Sequence, residues 1–130
     1  VFDQGLRFDP WFADYGVLED CHLALRAARS WRLLQSGDAT CVELAATGGR
    51  VDSRKLGYKH VVNYWYVFND IEGPLTPEQR FRFWRFHAFE LFRLSMSLLR
   101  RRRREDWDQI VGRLWGWAAA LSPSWSVPRR

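Results

Sequence analysis

Glu19 and Asp20 stand side by side just ahead of an apolar-periodic run, in the stretch YGVLEDCHLALRAARSWRLL. Two physical roles suit such a pair. Acids at a helix start gain roughly 0.3–1 kcal/mol from the helix dipole. A carboxylate at a helix start beside a cleft can instead serve as a general base, if it lies within hydrogen-bond reach of the proton it takes. Gly48, Gly49 and Arg50, together with Arg54, carry backbone N–H groups and forked guanidinium donors that suit diphosphate oxygens. An exposed loop with solvated arginines explains the same residues equally well. His22, His60 and His87 do not recur at metal-ligand spacing with other ligand types. Ser, His and Asp are all present, but no nucleophile motif accompanies them.

The elements that must position these residues are read from periodicity and punctuation. Residues 1–16 form a loop-rich opening with Gly5, Pro10 and Gly16. A helix is expected over residues 19–30, where Leu18, Cys21, Leu25 and Ala28 repeat at helical spacing and Arg26 and Arg29 favour its end. SWRLLQS reads as a short strand, Gly37 and Asp38 as a turn, and ATCVEL, residues 39–44, as a second strand. The next helix begins at Asp52 or Ser53 and runs to about Phe68. Thr76, Pro77 and Gln79 spell a capping box, opening a helix over residues 77–103. Phe81, Trp84, Ala88, Leu91 and Leu98 make one stripe on it, and Phe83, Phe86, Phe92, Leu94, Met96 and Leu99 widen that stripe around most of the cylinder. A last helix starts near Asp106, with Trp107, Ile110, Val111, Leu114, Trp115, Ala118 and Leu121 as its apolar face, and Pro123 stops it.

A length of 130 residues allows one domain or part of one. With 47% hydrophobic and 27% charged residues the chain can bury a core. Eight Trp and nine Phe call for a large aromatic core or an apolar partner. No uninterrupted apolar run approaches the ~18 residues of a membrane span. Charge is uneven: residues 1–70 sum to −1 and residues 71–130 to +6. That asymmetry points to an anionic partner surface. Cys21 and Cys41 sit in apolar settings and read as reduced, buried thiols, although their spacing also permits a disulfide.

The phrases FDQGLRF, EDCHLALRAARSWRLL, GDATCVEL and GGR, then a helix carrying NYWY, come in one order. In that order they resemble the C-terminal half of a family 2 glycosyltransferase of the GT-A type, over about residues 1–70. The matching residues are Phe2, Asp3, Leu6, Phe8, Glu19, Asp20, Leu23, Arg26, Trp31, Asp38 and Ala39, and Asn63 sits where the family often places an Asn. The resemblance implies inverting sugar transfer from a nucleotide-sugar donor to a hydroxyl of a carbohydrate or lipid-linked acceptor, as in cell-envelope polysaccharide synthesis. It implies Asp20 as catalytic base, with Glu19 orienting the acceptor or Asp20. Many relatives end the strand after the turn with a metal-holding His; Glu43 stands there in this chain. A carboxylate also suits the divalent cation, Mg²⁺ or Mn²⁺, that the resemblance implies.

The fold so implied is an α/β fragment: residues 1–50 as the acceptor-side part of the GT-A domain with a few short strands, residues 51–122 as a mainly helical extension, and residues 123–130 as a flexible tail. The nucleotide-binding half, with its Asp-x-Asp motif, is expected upstream, so this chain alone is not expected to catalyse transfer. The expected location is cytoplasmic, at the inner face of the membrane.

The aromatic, basic helix supports an alternative: a non-catalytic module that binds a membrane surface or a partner protein. Phe81 and Trp84 would enter the apolar layer, and Arg100, Arg101, Arg102, Arg103 and Arg104 would meet anionic headgroups. A core helix with snorkelling arginines accounts for the same pattern. Nucleic-acid binding is disfavoured, because no reading motif accompanies the arginines.

Overall fold

The computed structural model describes residues 5–13, 16–34, 37 and 52–122. A 3-10 turn, Pro10–Phe12, leads into α1 (Glu19–Ala28), α2 (Ser53–Glu72), α3 (Pro77–Arg101) and α4 (Arg104–Leu121). Among the described residues there is no strand. The α/β reading is therefore overturned for this part of the chain: the architecture is helical. The first expected strand fails where it can be seen. Ser30 and Trp31 lie in the turn that ends α1, and residues 32–34 continue without regular structure. Leu33 is 54% and Leu34 85% exposed. An apolar run becomes a strand only when a neighbour completes its hydrogen-bond ladder and covers one face, and no described residue does either for these leucines. The second expected strand, 39–44, lies outside the described residues.

The helix ends follow local chemistry. Asp52 caps α2 by accepting from the backbone N–H of Arg54 (2.7 Å) and Lys55 (3.3 Å). Gly73, at φ 78°, closes α2 four residues later than periodicity suggests. The capping box of α3 forms as read from the sequence: Gln79 N–H donates to Thr76 Oγ1 (3.3 Å), and Thr76 N–H donates to Gln79 Oε1 (2.9 Å). At the other end, Arg102 turns left-handed (φ 50°) and its N–H reaches Leu98 O at 2.8 Å. The chain can then reverse into α4 within the arginine run.

α2 is the element the others share. One cluster joins Val61, Phe83 and Ala120, with Tyr64, Trp65, Trp84 and Trp117 packed around it. Trp65 meets Phe83 edge-on at 5.0 Å, and Trp84 meets Trp117 at 5.2 Å. A second cluster joins Phe12, Tyr66 and Val67, flanked by Trp11, Leu18 and Ile71.

α4 packs largely through small residues, with Ile110 and Trp117 as its large apolar contacts. Its buried positions are Ile110, Gly112, Arg113, Gly116 and Ala120, whereas Trp107, Leu114, Trp115 and Leu121 are exposed. The small face allows the α2 and α4 backbones to touch, so Gly112 lies against Arg54 O and Gly57 against Gln109 O. α1 likewise buries His22 and Ala27 and leaves Cys21 and Leu25 exposed. The buried-thiol reading of Cys21 is thus corrected, and Cys41 lies outside the described residues.

His87, on α3, is fully buried among Tyr64, Phe83 and Phe86, and neither ring nitrogen has a hydrogen-bond partner. Burial, then the nearby Arg113 charge, pushes its pKa from 6.5 down to about 4. The His60 pKa is lowered for the same two reasons. A depressed histidine pKa means that the unfolded chain binds the proton first. Stability is therefore complete above about pH 6.5 and falls as pH drops toward 4, by up to about 3 kcal/mol for His87. Urea unfolding at pH 7.5, 5.5 and 4.5 is expected to show this decline, and His87→Leu is expected to flatten most of it.

Candidate functional site

The start of α1 is held by a chain of polar contacts to α2. Asp9 accepts from Trp11 N–H at 2.9 Å, capping the 3-10 turn, and its other oxygen accepts from Tyr66 Oη–H at 2.7 Å. Trp11 stacks on Tyr66 with ring centres 4.5 Å apart, which aims its Nε1–H at Asn63 Oδ1 (3.1 Å). Asn63, fully buried, donates from Nδ2 to Val17 O at 2.9 Å. His22, also buried, donates from Nε2 to Asp70 Oδ2 at 2.8 Å. Arg29 reaches the Ile71 carbonyl. Asn63, Tyr66 and Asp70 recur three and four residues apart, so one face of α2 receives the whole segment.

The backbone bends sharply where these contacts converge. Leu18 sits at φ 70°, ψ 14°, in the left-handed region, and gives no side-chain cap to α1. For a residue with a Cβ this conformation costs roughly 1–2 kcal/mol, and the surrounding contacts must sustain it. Directly after it come the two acids, which take different positions. Glu19 is half-buried, and its carboxylate folds back over Gly16. Asp20 is exposed, and its Oδ1 accepts from Cys21 N–H at 2.7 Å. No described cation lies within ion-pair distance of Asp20. Asp20 thus satisfies one N–H of a helix end that has no side-chain cap, and its carboxylate is open to solvent.

The remaining predicted site residues do not gather here. Arg54 donates to Asp108 Oδ1 at 2.8 Å and lies over the Trp115 ring at 5.4 Å, so it joins α2 to α4. Gly48, Gly49, Arg50 and Glu43 lie outside the described residues. Among the described residues no three His, Cys, Asp or Glu side chains group as metal ligands. An Asp-x-Asp does occur, at Asp106 and Asp108 near the start of α4, but Asp106 accepts from Ser97 Oγ (2.8 Å) and Asp108 pairs with Arg54. A cavity of about 470 Å³ between α2 and α3 is lined by Tyr64, Phe68, Phe83 and Phe86, with Glu72 and Arg82 among its polar residues, and the acid pair does not line it.

Of the membrane-surface residues, Phe81 faces outward, but Trp84 turns inward against Trp65, Phe83 and Trp117. Among the described residues no helix is long and apolar enough to cross a membrane. Sequence reasoning found Asn63 but missed its partner Trp11 and the neighbouring Asp9–Tyr66 and His22–Asp70 pairs. The signal was the polar and phenolic stripe 63–66–70 on an otherwise apolar helix. No family model, curated protein or solved structure matches the chain.

Proposed function

We propose that this chain supplies the base-bearing, acceptor-side part of an enzyme that transfers a sugar from a nucleotide-sugar donor with inversion. The observation that carries the reading is the placement of Glu19 and Asp20. They follow the strained Leu18 on a segment clamped by Asn63, with Asp20 open to solvent and free of a described counter-charge. A strained backbone held in place beside a reactive group is a common device for fixing that group's position.

In this reading the acceptor hydroxyl approaches Asp20. Its oxygen bonds to the anomeric carbon from the face opposite the leaving group. Asp20 takes the hydroxyl proton, and the nucleotide diphosphate departs with the electron pair of the broken bond. Glu19, folded over Gly16, supports the turn and orients the acceptor from behind. The donor is held by residues outside this site, and the order of sequence phrases around the acid pair supports that division of labour.

The test is Asp20→Asn in the complete enzyme. Transfer is expected to fall by ~10²-fold or more, the usual share of a positioned base, while donor binding is retained. Turnover within a few-fold of the unaltered enzyme would remove Asp20 from the mechanism and leave the pair as helix-end acids.

A further inference from the structure

α3 is apolar on two sides, and only one of them is used by the fold. Phe83, His87 and Leu94 are buried against α2 and α4. Phe81 (64% exposed), Phe89 (61%), Phe92 (62%), Met96 (50%) and Leu99 (74%) are not. Positions 81, 85, 89, 92, 96 and 99 recur at three- and four-residue intervals, so they form one outward stripe, ~27 Å long at 1.5 Å per residue.

The unpaired charges within the stripe and at its end are mainly cationic. Arg85 lies within it, and the five arginines 100–104 follow its end. Arg85 and Arg100, Arg101, Arg102 and Arg103 form no ion pair with a described residue. The acids of α3 are only Glu78 and Glu90; the first is paired with Arg82 (2.6 Å) and the second with Arg93 (2.9 Å).

From this we propose that the outward face of α3 docks onto an anionic phospholipid surface, with its axis in the membrane plane. Phenyl rings, Met96 and Leu99 enter the acyl boundary. Arg85 extends its head to the phosphates along an apolar stem, and the arginine turn meets the anionic headgroups. A second copy of the chain fits less well, because mating two such faces brings two uncompensated cationic stripes together. A lipid surface supplies both the apolar depth and the opposite charge. The proposal does not rest on the sugar-transfer reading: it stands or falls on lipid binding, whatever Asp20→Asn does.

The test is flotation of the purified chain with vesicles of phosphatidylcholine alone and of phosphatidylcholine with 30% phosphatidylglycerol, a mixture in the ordinary anionic range. Binding is expected only to the anionic vesicles and should weaken with salt. Phe89→Ser with Phe92→Ser, and separately glutamine at positions 100–103, are each expected to reduce the partition coefficient at least ~10-fold. These residues are exposed, so circular dichroism should show unchanged helix content. Three results overturn the proposal: no binding to anionic vesicles, equal binding to neutral ones, or variants that bind as the unaltered chain does. Self-association that Phe89→Ser with Phe92→Ser abolishes, in the absence of lipid binding, assigns the face to a second copy instead.

Discussion

Gly112→Ala is expected to lower the melting temperature by ~10 °C or more, although alanine is the better helix former by about 1 kcal/mol. A Cβ at Gly112 would collide with the Arg54 carbonyl oxygen and crowd Tyr58 N at 2.9 Å. Both neighbours are backbone, so no side-chain rotation relieves the clash and the helices must separate. Gly57 faces Gln109 O in the same way. A Cβ at Gly116 would come within 2.9 Å of Tyr58 O and 2.8 Å of Val61 Cβ. Separation loosens the contact that organises the core, which places the cost near the top of the overpacking range, about 3 kcal/mol. Ala118→Leu, on the exposed side of α4, should leave the midpoint within a few degrees. Thermal melts of both variants decide the matter, and a Gly112→Ala midpoint at or above that of the unaltered chain would refute close backbone packing of α2 on α4.

A comparable loss is expected from Glu90→Leu. Arg113 has a side chain only 5% exposed, and Glu90 Oε2 stands 3.6 Å from its Nη2. Its Nε has no hydrogen-bond partner. Desolvation by burial already lowers the Arg113 pKa, and the Glu90 carboxylate opposes that shift. Glu90 is held ionised chiefly by its hydrogen bonds from Arg93, at 3.1 and 2.9 Å. Removing the carboxylate strands a buried cation, at about 3–5 kcal/mol. Replacing the cation as well, in Glu90→Leu with Arg113→Met, is expected to recover most of that, because two buried charges then give way to apolar groups. Arg93→Ala should cost under ~1 kcal/mol, since its side chain is 58% exposed. Urea unfolding of these forms, and of Arg113→Met alone, reports the effect. Additive losses in the double variant would show that Glu90 does not compensate Arg113.

The existence of the four helices was legible from periodicity, and the capping box of α3 from three residues. The packing faces were not. In α4 the large apolar residues suggest a core face, and Ile110 is buried as read, yet Gly112, Gly116 and Ala120 make the rest of it, because backbone proximity can outweigh side-chain bulk when two glycine-bearing helices cross. The cue was the four-residue spacing of Gly112 and Gly116, with Gly57 on the partner helix. In α3 both sides are apolar, and hydrophobicity alone could not choose between them; Trp84 was placed outward for that reason. The strand reading of SWRLLQS failed because local apolarity does not supply a pairing partner. At the site, Glu19, Asp20 and Asn63 were visible in the sequence. Their clamp was not, since Asp9 and Tyr66 are 57 positions apart and Trp11 and Asn63 are 52 apart. No local pattern encodes such long-range pairs.

α2 carries the two apolar clusters on different sides and serves both ends of the molecule. Its first half is gripped by α4 through Arg54, Gly57 and Val61, and its second half holds the acid-bearing segment through Asn63, Tyr66 and Asp70. α2 is 20 residues, ~30 Å, long, and ~14 Å of it separates Val61 in the α4 contact from Asp70 in the α1 contact. A 5° rotation of α2 about Val61 would therefore shift Asp70, and with it the His22 contact that holds α1, by ~1.2 Å over that length.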